Sequence, residues 1–564
     1  MSSRYATRMP GVPRSRISKS TPTPSRWLLL VWFPLLLGLG AESASAEFAY
    51  DLALRGGTLY LGGREMAGDG DLAIAGDRIA AVGEAPGSAR REIDATGLVI
   101  APGFIDLHSH TDEIYRIARW MPLPGSVHAN LNFLFQGVTT IASGNCGSGF
   151  ADPEGVRNWL ARVDAMPFGS NVIHLVPHGA LRLQVMGEAQ ADRADPRPTP
   201  DEMRRMKELL DGGMRAGAWG ISTGLEYDPG ARAETDELVE LTRVVARRGG
   251  IYASHTRHEG PLPEKMLASY GEVIEIGERA GARVHISHIK VSGRRVHGMA
   301  DQVIALIEAA RERGVRVTAD QYPYTAGSTT LTMPAPPEMR DGSDVLPRYC
   351  EGAGREELRA RVSFFLAEET PPEGLLVSIY PWKWWLQGKT VAEIAAERGE
   401  DPVEVTVDLA CGRWPGAGIY FSQSAADVRE LMQRPWVATA SDGAAIFELL
   451  GRWAHPRLYG TFPRKIRRYV YEEELISLPF ALRSMTELPA EIFEIPERGR
   501  LAPGYYADVV AFRPEALRDV ATYEHSGRYS EGVEYLVVNG VLSIDGGEYT
   551  GDRGGRALRH ASSP

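Results

Sequence analysis

The apolar run Leu98-Val-Ile-Ala-Pro-Gly-Phe-Ile-Asp106 leads directly into His108-Ser-His110, and this junction constrains the chain more than any other feature. Such a run reads as a buried β-strand, where residues i and i+2 face the same side. Two imidazoles placed that way can hold one metal ion. Downstream, strands alternate with helical stretches near 201–216, 235–248, 271–280 and 300–313. Candidate strands end near Asp106, Ala142, Val176, Ser222, His255, His288, Asp320 and Ser441. Eight βα units predict an α/β fold, a TIM-type (β/α)8 barrel over 101–489 with its chemistry at the C-terminal strand ends.

The spacing breaks once. Between Asp320 and Ser441 lies too much chain for one βα unit, so 335–430 reads as an inserted subdomain. Its cluster Trp382-Lys-Trp-Trp385 suits either a lid or a minor core. Residues 47–100 and 490–555 are short strands with glycine turns, and together they predict one small β-sandwich domain built from both ends of the chain.

The 564 residues carry a net charge of −11. Residues 1–46 hold six basic residues and one acidic one, so the remainder stands at about −16. That excess argues against nucleic acid or an anionic membrane as partner. Arginine-rich sequence up to Arg26, the 14-residue apolar run from Trp27 to Gly40 and then Ala44-Ser-Ala46 follow the order of an export signal. The run is shorter than the roughly 20 residues a membrane span needs. The expectation is cleavage after Ala46 and a periplasmic or secreted protein without stable membrane insertion, the alternative being a retained N-terminal anchor. Three cysteines, Cys146, Cys350 and Cys411, do not suggest a disulfide framework.

Potential ligands gather at the strand ends. His108 and His110 follow the first strand and Cys146 the second; His255 ends the fifth, His288 the sixth and Asp442 the eighth. A lone strand-end histidine is usually a satisfied polar residue, a lone cysteine a small buried hydrophobe, and an aspartate before glycine a turn residue. The joint pattern favours a metal site instead. Imidazole, thiolate and carboxylate together suit Zn²⁺, in one site or in two adjacent sites with Cys146 between them.

The segments His108-Ser-His110, Gly144-Asn-Cys-Gly147, Gly220-Ile-Ser-Thr-Gly-Leu-Glu-Tyr-Asp-Pro-Gly230, Ser287-His-Ile-Lys290, Asp320-Gln-Tyr-Pro-Tyr324, Ser441-Asp-Gly443 and His455-Pro-Arg-Leu-Tyr-Gly-Thr-Phe-Pro463 resemble the amidohydrolase superfamily, specifically its D-aminoacylase (N-acyl-D-amino-acid deacylase) branch. The resemblance runs from about residue 50 to 555. It implies a tight zinc held by Cys146, His255 and His288, and a weaker site formed by His108, His110 and Asp442 with Cys146 shared. Many members of the superfamily bridge two metals with a carboxylated lysine; here Ser222-Thr223 stands where that lysine would be, which is consistent with a bridging cysteine.

The implied reaction is zinc-dependent hydrolysis of N-acyl-D-amino acids, small-molecule substrates, with Asp442 as general acid and base. Lys290 is implied as the partner of the substrate carboxylate, and its position two residues after His288 also aims it into the mouth. Tyr227, Tyr322, Tyr324 and Ser328 are candidate hydroxyl contacts, with packing as the alternative for the tyrosines. Arg257 and His258 are candidates to orient ligands, while His174 and His178 read as structural. The preference for the D isomer rests on the resemblance alone. Three other readings stand beside this one: a dipeptidase, a cyclic-amide hydrolase, and a non-catalytic binding barrel.

Overall fold

The computed structural model describes residues 48–561 apart from 118–124, 188–194, 337–338, 340–344, 413–415 and 447–450. The expected export signal, 1–46, lies outside the described residues.

Eight parallel strands form the barrel. They are Phe104–Asp106, Val138–Ser143, Asn171–His174 continued by Val176–Pro177, Gly220–Gly224, Ile251–His255, Arg283–Ile286, Val317–Gln321 and Val437–Thr439. A parallel bridge between Ser109 and Gly443 closes the ring, reinforced by the His110 N–H donating to the Gly443 carbonyl at 2.7 Å. Barrel closure thus brings the histidine pair on the first strand beside the loop that carries Asp442.

Amphipathic helices cover the outside. Their starts follow local chemistry: Asp152 accepts the Glu154 and Gly155 N–H groups at the head of Pro153–Ala165, and Thr199 with Glu202 forms a capping box on Pro200–Arg215. The helix expected at 271–280 begins earlier, at Pro263, a residue suited to a first helical turn. The N-terminal end of the barrel is filled by apolar side chains. Ile105, Ile173 and Ile251 pack there against Leu488 and Phe493 of helix Glu487–Phe493. The opposite, C-terminal end is where the polar strand-end residues collect.

The run from Leu98 to Asp106 is two strands rather than one. Val99–Pro102 pairs with Val509–Phe512 in the terminal domain, and Phe104–Asp106 belongs to the barrel. Gly103 makes the join because a Cβ there would lie 2.3 Å from the Thr139 side chain. The terminal domain is nine strands from both chain ends. Strand Tyr50–Leu59 is its corner: the first half pairs with Ala89–Asp94, the second with Val99–Pro102, and a bulge lies between. Such a switch of partners is how one strand serves two layers of a sandwich.

The inserted subdomain starts earlier than expected, at the antiparallel sheet formed by Gly327–Thr330, Leu375–Val377 and Ala417–Tyr420. Helices Gly352–Glu368, Val391–Arg398 and Pro402–Ala410 add a core of its own, including Leu358, Val362, Val377, Ile394 and Val405. Two expectations fail here. Cys350 and Cys411 form a disulfide despite the low cysteine count, because folding of the subdomain brings residues 61 apart in sequence together. Trp382, Trp384 and Trp385 enter neither the subdomain core nor the cavity; their 3-10 segment projects them outward at 67%, 69% and 54% exposure.

Candidate active site and metal centre

The C-terminal mouth opens into a cavity of about 550 Å³ lined by His110, Cys146, His255, His288 and Asp442 together with Lys290. His108 lies just beneath, fully buried. Cys146 Sγ sits 3.3 Å from His108 Nε2, 3.5 Å from His288 Nε2 and 3.7 Å from His255 Nδ1. His255 Nδ1 and His288 Nε2 are 2.9 Å apart. Next to this group, Asp442 Oδ1 lies 3.1 Å from His110 Nε2 and 3.5 Å from His108 Nε2. The six sequence-predicted ligands are therefore brought together, with Cys146 and His108 at the junction of two clusters.

Three of these residues, Cys146, His288 and Asp442, have positive φ values of 50°, 35° and 48°. Left-handed backbone is uncommon for residues other than glycine and costs about 1–3 kcal/mol each, so surrounding contacts must hold it. The Asp112 carboxylate accepts the Gly144 N–H at 3.1 Å in the Cys146 loop. Asp320 Oδ1 accepts the His288 N–H at 2.7 Å, and Asp106 Oδ1 accepts the Ser441 N–H at 3.0 Å beside Asp442.

Every one of the four histidines turns its second ring nitrogen to a carboxylate. His108 Nδ1 lies 3.5 Å from Asp320, His110 Nδ1 3.3 Å from Glu113, His255 Nε2 3.1 Å from Glu226, and His288 Nδ1 3.2 Å from Glu259. This is how ligand imidazoles are oriented and made more basic in metal sites. Opposing burial, the Cys146 thiolate and Asp320 raise His108 to about 10. Glu259 and Cys146 likewise raise His255 to about 10 against its burial. Burial also disfavours the charged forms of Cys146 and Asp442, yet His108 and His288 hold the thiol well below its usual range and Arg457 does the same for Asp442. These shifts share one setting: nitrogen, sulfur and oxygen donors crowd one another in a buried cluster, and Arg457 is the cation that offsets Asp442. A divalent cation would relieve that crowding, and the mixed donor set fits Zn²⁺.

Sequence reasoning missed several contributors. Arg457 is buried, pairs with Asp442 Oδ2 at 2.9 Å and lies 4.7 Å over the Tyr322 ring. It stands far from any strand end, so only the His455-Pro-Arg457 segment marked it. Glu113 and Glu259 could have been found three and four residues after a ligand histidine; Glu226 and Asp320 carried no comparable signal.

Of the expected substrate contacts, Lys290, Tyr227, Tyr322 and Ser328 line the cavity. Lys290 Nζ is held 2.8 Å from both Glu259 oxygens. Tyr324 is a correction: it lies outside the cavity lining, packed between His455 and Tyr523 with Arg464 over its ring. Arg257 binds Glu272 and the Ala231 and Ala233 carbonyls, bracing the loop after Gly224 rather than a ligand. His174 bonds Ser143 and the Phe150 carbonyl, and His178 bonds Glu237.

A parallel barrel that gathers imidazoles, a thiol and an ionised aspartate at its C-terminal mouth has the site of a metal-dependent hydrolase. The chain belongs to the Amidohydrolase family, whose model matches residues 91–365 and 383–544. It is 34% identical to a D-aminoacylase of Alcaligenes xylosoxydans xylosoxydans over 92% of this chain and all of the relative. An N-acyl-D-glutamate deacylase from the same organism is 35% identical, over 91% of this chain and 97% of its own. Among solved structures, the N-acyl-D-glutamate deacylase of Bordetella bronchiseptica, complexed with zinc and a phosphonate mimic of the tetrahedral intermediate, is 32% identical and superposes with a TM-score of 0.74, covering 90% of this chain and 99% of its own.

Proposed function

We infer that this protein is a zinc-dependent amidohydrolase that cleaves the amide bond of N-acyl-D-amino acids to a carboxylate and a free D-amino acid. The observation that carries the reading is Asp442, ionised and placed between the imidazoles of His108 and His110 and the Arg457 guanidinium at the floor of the cavity. Cys146, His255 and His288 would hold the principal zinc; His108, His110 and Asp442 would hold a second. Zinc, when bound, polarises the amide carbonyl and acidifies water toward neutrality.

The residues of the chain supply the rest. Asp442 is held in its basic form, so it can accept the proton of the attacking water and pass it to the amide nitrogen, without which the amine leaves poorly. Lys290 and Arg457 line the inner cavity and are suited to the α-carboxylate of the amino-acid half. Burial raises the Tyr227 and Tyr322 phenols, which remain protonated donors near neutrality. The six candidate ligands, Asp442 among them, gather at one mouth, which supports a catalytic barrel over a non-catalytic binding one.

The test is amine release from N-acetyl-D-methionine and N-acetyl-L-methionine by zinc-loaded protein, beside Asp442→Asn. Release selective for the D isomer and lost in the variant is expected. Release from dipeptides or cyclic amides alone would replace this reading with one of its alternatives.

Export of the chain is part of the same proposal. It is supported by the basic, apolar and small-residue order of 1–46 and by the Cys350–Cys411 disulfide, a bond typical of oxidising compartments. Among the described residues no helix is long and apolar enough to cross a membrane. N-terminal sequencing of the mature protein should begin at Glu47; a start at the initiator end would favour a retained anchor.

A further inference from the structure

Cys146 is a candidate ligand held by a loop rather than by a strand. It follows the strand Val138–Ser143, stands in left-handed backbone at φ 50°, and places its Sγ at the junction of the two ligand clusters. Such backbone persists in a residue with a Cβ only where the surroundings hold it. One side of the loop is tied to the first barrel strand and the turn after it. The Asn145 side-chain amide donates to the Ala142 carbonyl at 3.2 Å and to the Leu107 and Ser109 carbonyls at 3.4 Å, and Asp112 accepts the Gly144 N–H.

The facing side is held from the strand Gly220–Gly224, which carries none of the six candidate ligands. The Ser222 hydroxyl donates to the Gly144 carbonyl and accepts the Gly147 N–H at 3.3 Å. One side chain thus brackets Cys146, from the carbonyl two residues before it to the amide one residue after. Ser222 is itself fixed, its backbone paired with Ala253 on one side and Pro177 on the other. The loop lies flat on the strand end: a Cβ on Gly224 would meet the Cys146 carbonyl at 2.2 Å. Ser222, Gly144 and Gly147 are all buried, so loss of the hydroxyl takes a partner from two backbone groups that water does not reach. Thr223 next to it faces the other way, as strand neighbours do, and its hydroxyl bonds those of Tyr252 at 3.0 Å and Ser254 at 2.9 Å.

Building on the zinc site proposed above, we propose that Ser222 is a positioning residue for the metal centre: its hydroxyl clamps the loop 144–147 and so keeps the Cys146 thiolate between His108 and His288. The strand that gives the mouth no ligand serves it by aiming one. Without the clamp, the Cys146 backbone is free to leave its left-handed conformation, and Sγ turns away from the imidazoles.

The experiment strips the full chain with chelator and reloads it with zinc or with cobalt(II). Zinc affinity is read by chelator competition, and the thiolate-to-cobalt charge-transfer band reports the bond to Cys146. Ser222→Ala should weaken zinc about 10- to 100-fold and lower the band per bound cobalt by about half or more. Ser222→Thr keeps the hydroxyl and should hold both readings near those of the wild type. Thr223→Val removes the neighbouring buried hydroxyl and should leave both readings unchanged, although it too weakens the fold. Unchanged readings in Ser222→Ala, equal losses in Thr223→Val, or losses in Ser222→Thr as large as those in Ser222→Ala would overturn the proposal. Failure of Ser222→Ala to fold while Thr223→Val folds would assign Ser222 to the fold alone, and overturn it as well. A wild type that binds zinc tightly and shows the band, yet releases no amine from N-acetyl-D-amino acids, would refute the deacylase reading and leave the role of Ser222 standing. Absence of the band from the wild type would refute the cysteine-centred metal site and this proposal with it.

Discussion

The barrel mouth and the inserted subdomain both line the cavity, yet they are built in opposite ways. The mouth buries carboxylates and imidazoles around a half-buried thiol and holds three candidate ligands in left-handed backbone. The subdomain is an ordinary apolar core closed by a disulfide. The first arrangement sacrifices stability for chemistry, since buried like-natured donors and strained φ values persist only where a rigid scaffold over-determines them. The second contributes shape and carries none of the six candidate ligands. Changes in the mouth should therefore act on turnover and metal, whereas changes in the subdomain should act on stability and specificity.

The largest effect expected belongs to the mouth. Asp442→Asn keeps the shape of the side chain but removes the proposed base, and should lower kcat by about a thousandfold or more. Zinc analysis should still find most of the metal held by Cys146, His255 and His288. Loss of that metal together with activity would mean that Asp442 is primarily a ligand.

Next comes the subdomain. Replacing Cys350 and Cys411 by serine opens a loop of 61 residues and should lower stability by up to about 4 kcal/mol in urea unfolding. Zinc content and turnover of the folded fraction should stay nearly unchanged. A parallel loss of metal would break the division between the two regions.

Below the mouth, His174 sharpens the contrast by its pH dependence. Burial lowers its pKa to about 4 while the Phe150 carbonyl accepts its Nε2–H. A folded pKa depressed below the unfolded value of about 6.5 gives stability present above pH 6.5 and lost as pH falls toward 4, a loss of roughly 3 kcal/mol. Urea midpoints measured from pH 7 to pH 4 should show this slope in the wild type and a shallower one in His174→Gln.

Asp320→Asn should have the smallest effect. It weakens the support of His108 while the amide oxygen can still accept the His288 N–H, so zinc affinity should fall about 10- to 100-fold in a chelator competition. An unchanged affinity would show that Asp320 serves the fold alone.

Much of this was legible in the sequence for a physical reason. In a parallel barrel all strands end at one face, so placing His108, His110, Cys146, His255, His288 and Asp442 at strand ends already places them together. Arg457 escaped because it reaches the site from helix Arg457–Arg464 rather than from a strand end. Glu226 and Asp320 escaped because acidic residues near strand ends are common, and only the ring orientations show which of them face a ligand. The Cys350–Cys411 bond depends on how the subdomain folds back on itself, which no local pattern encodes. Tyr324 and the tryptophans of 382–385 misled because residue type gives no direction: the first is buried behind the cavity and the others face outward.

The central claim is that zinc at this mouth drives amide hydrolysis with Cys146 at the centre of the ligand set. The direct measurement is a zinc titration of chelator-stripped protein, following both bound metal and amine release from N-acetyl-D-methionine, in wild type and Cys146→Ala. Activity absent from the stripped protein and rising as zinc binds tightly, with tight binding lost in Cys146→Ala, is the predicted result. Undiminished hydrolysis by the metal-free chain, or tight zinc binding that survives without Cys146, would contradict the account.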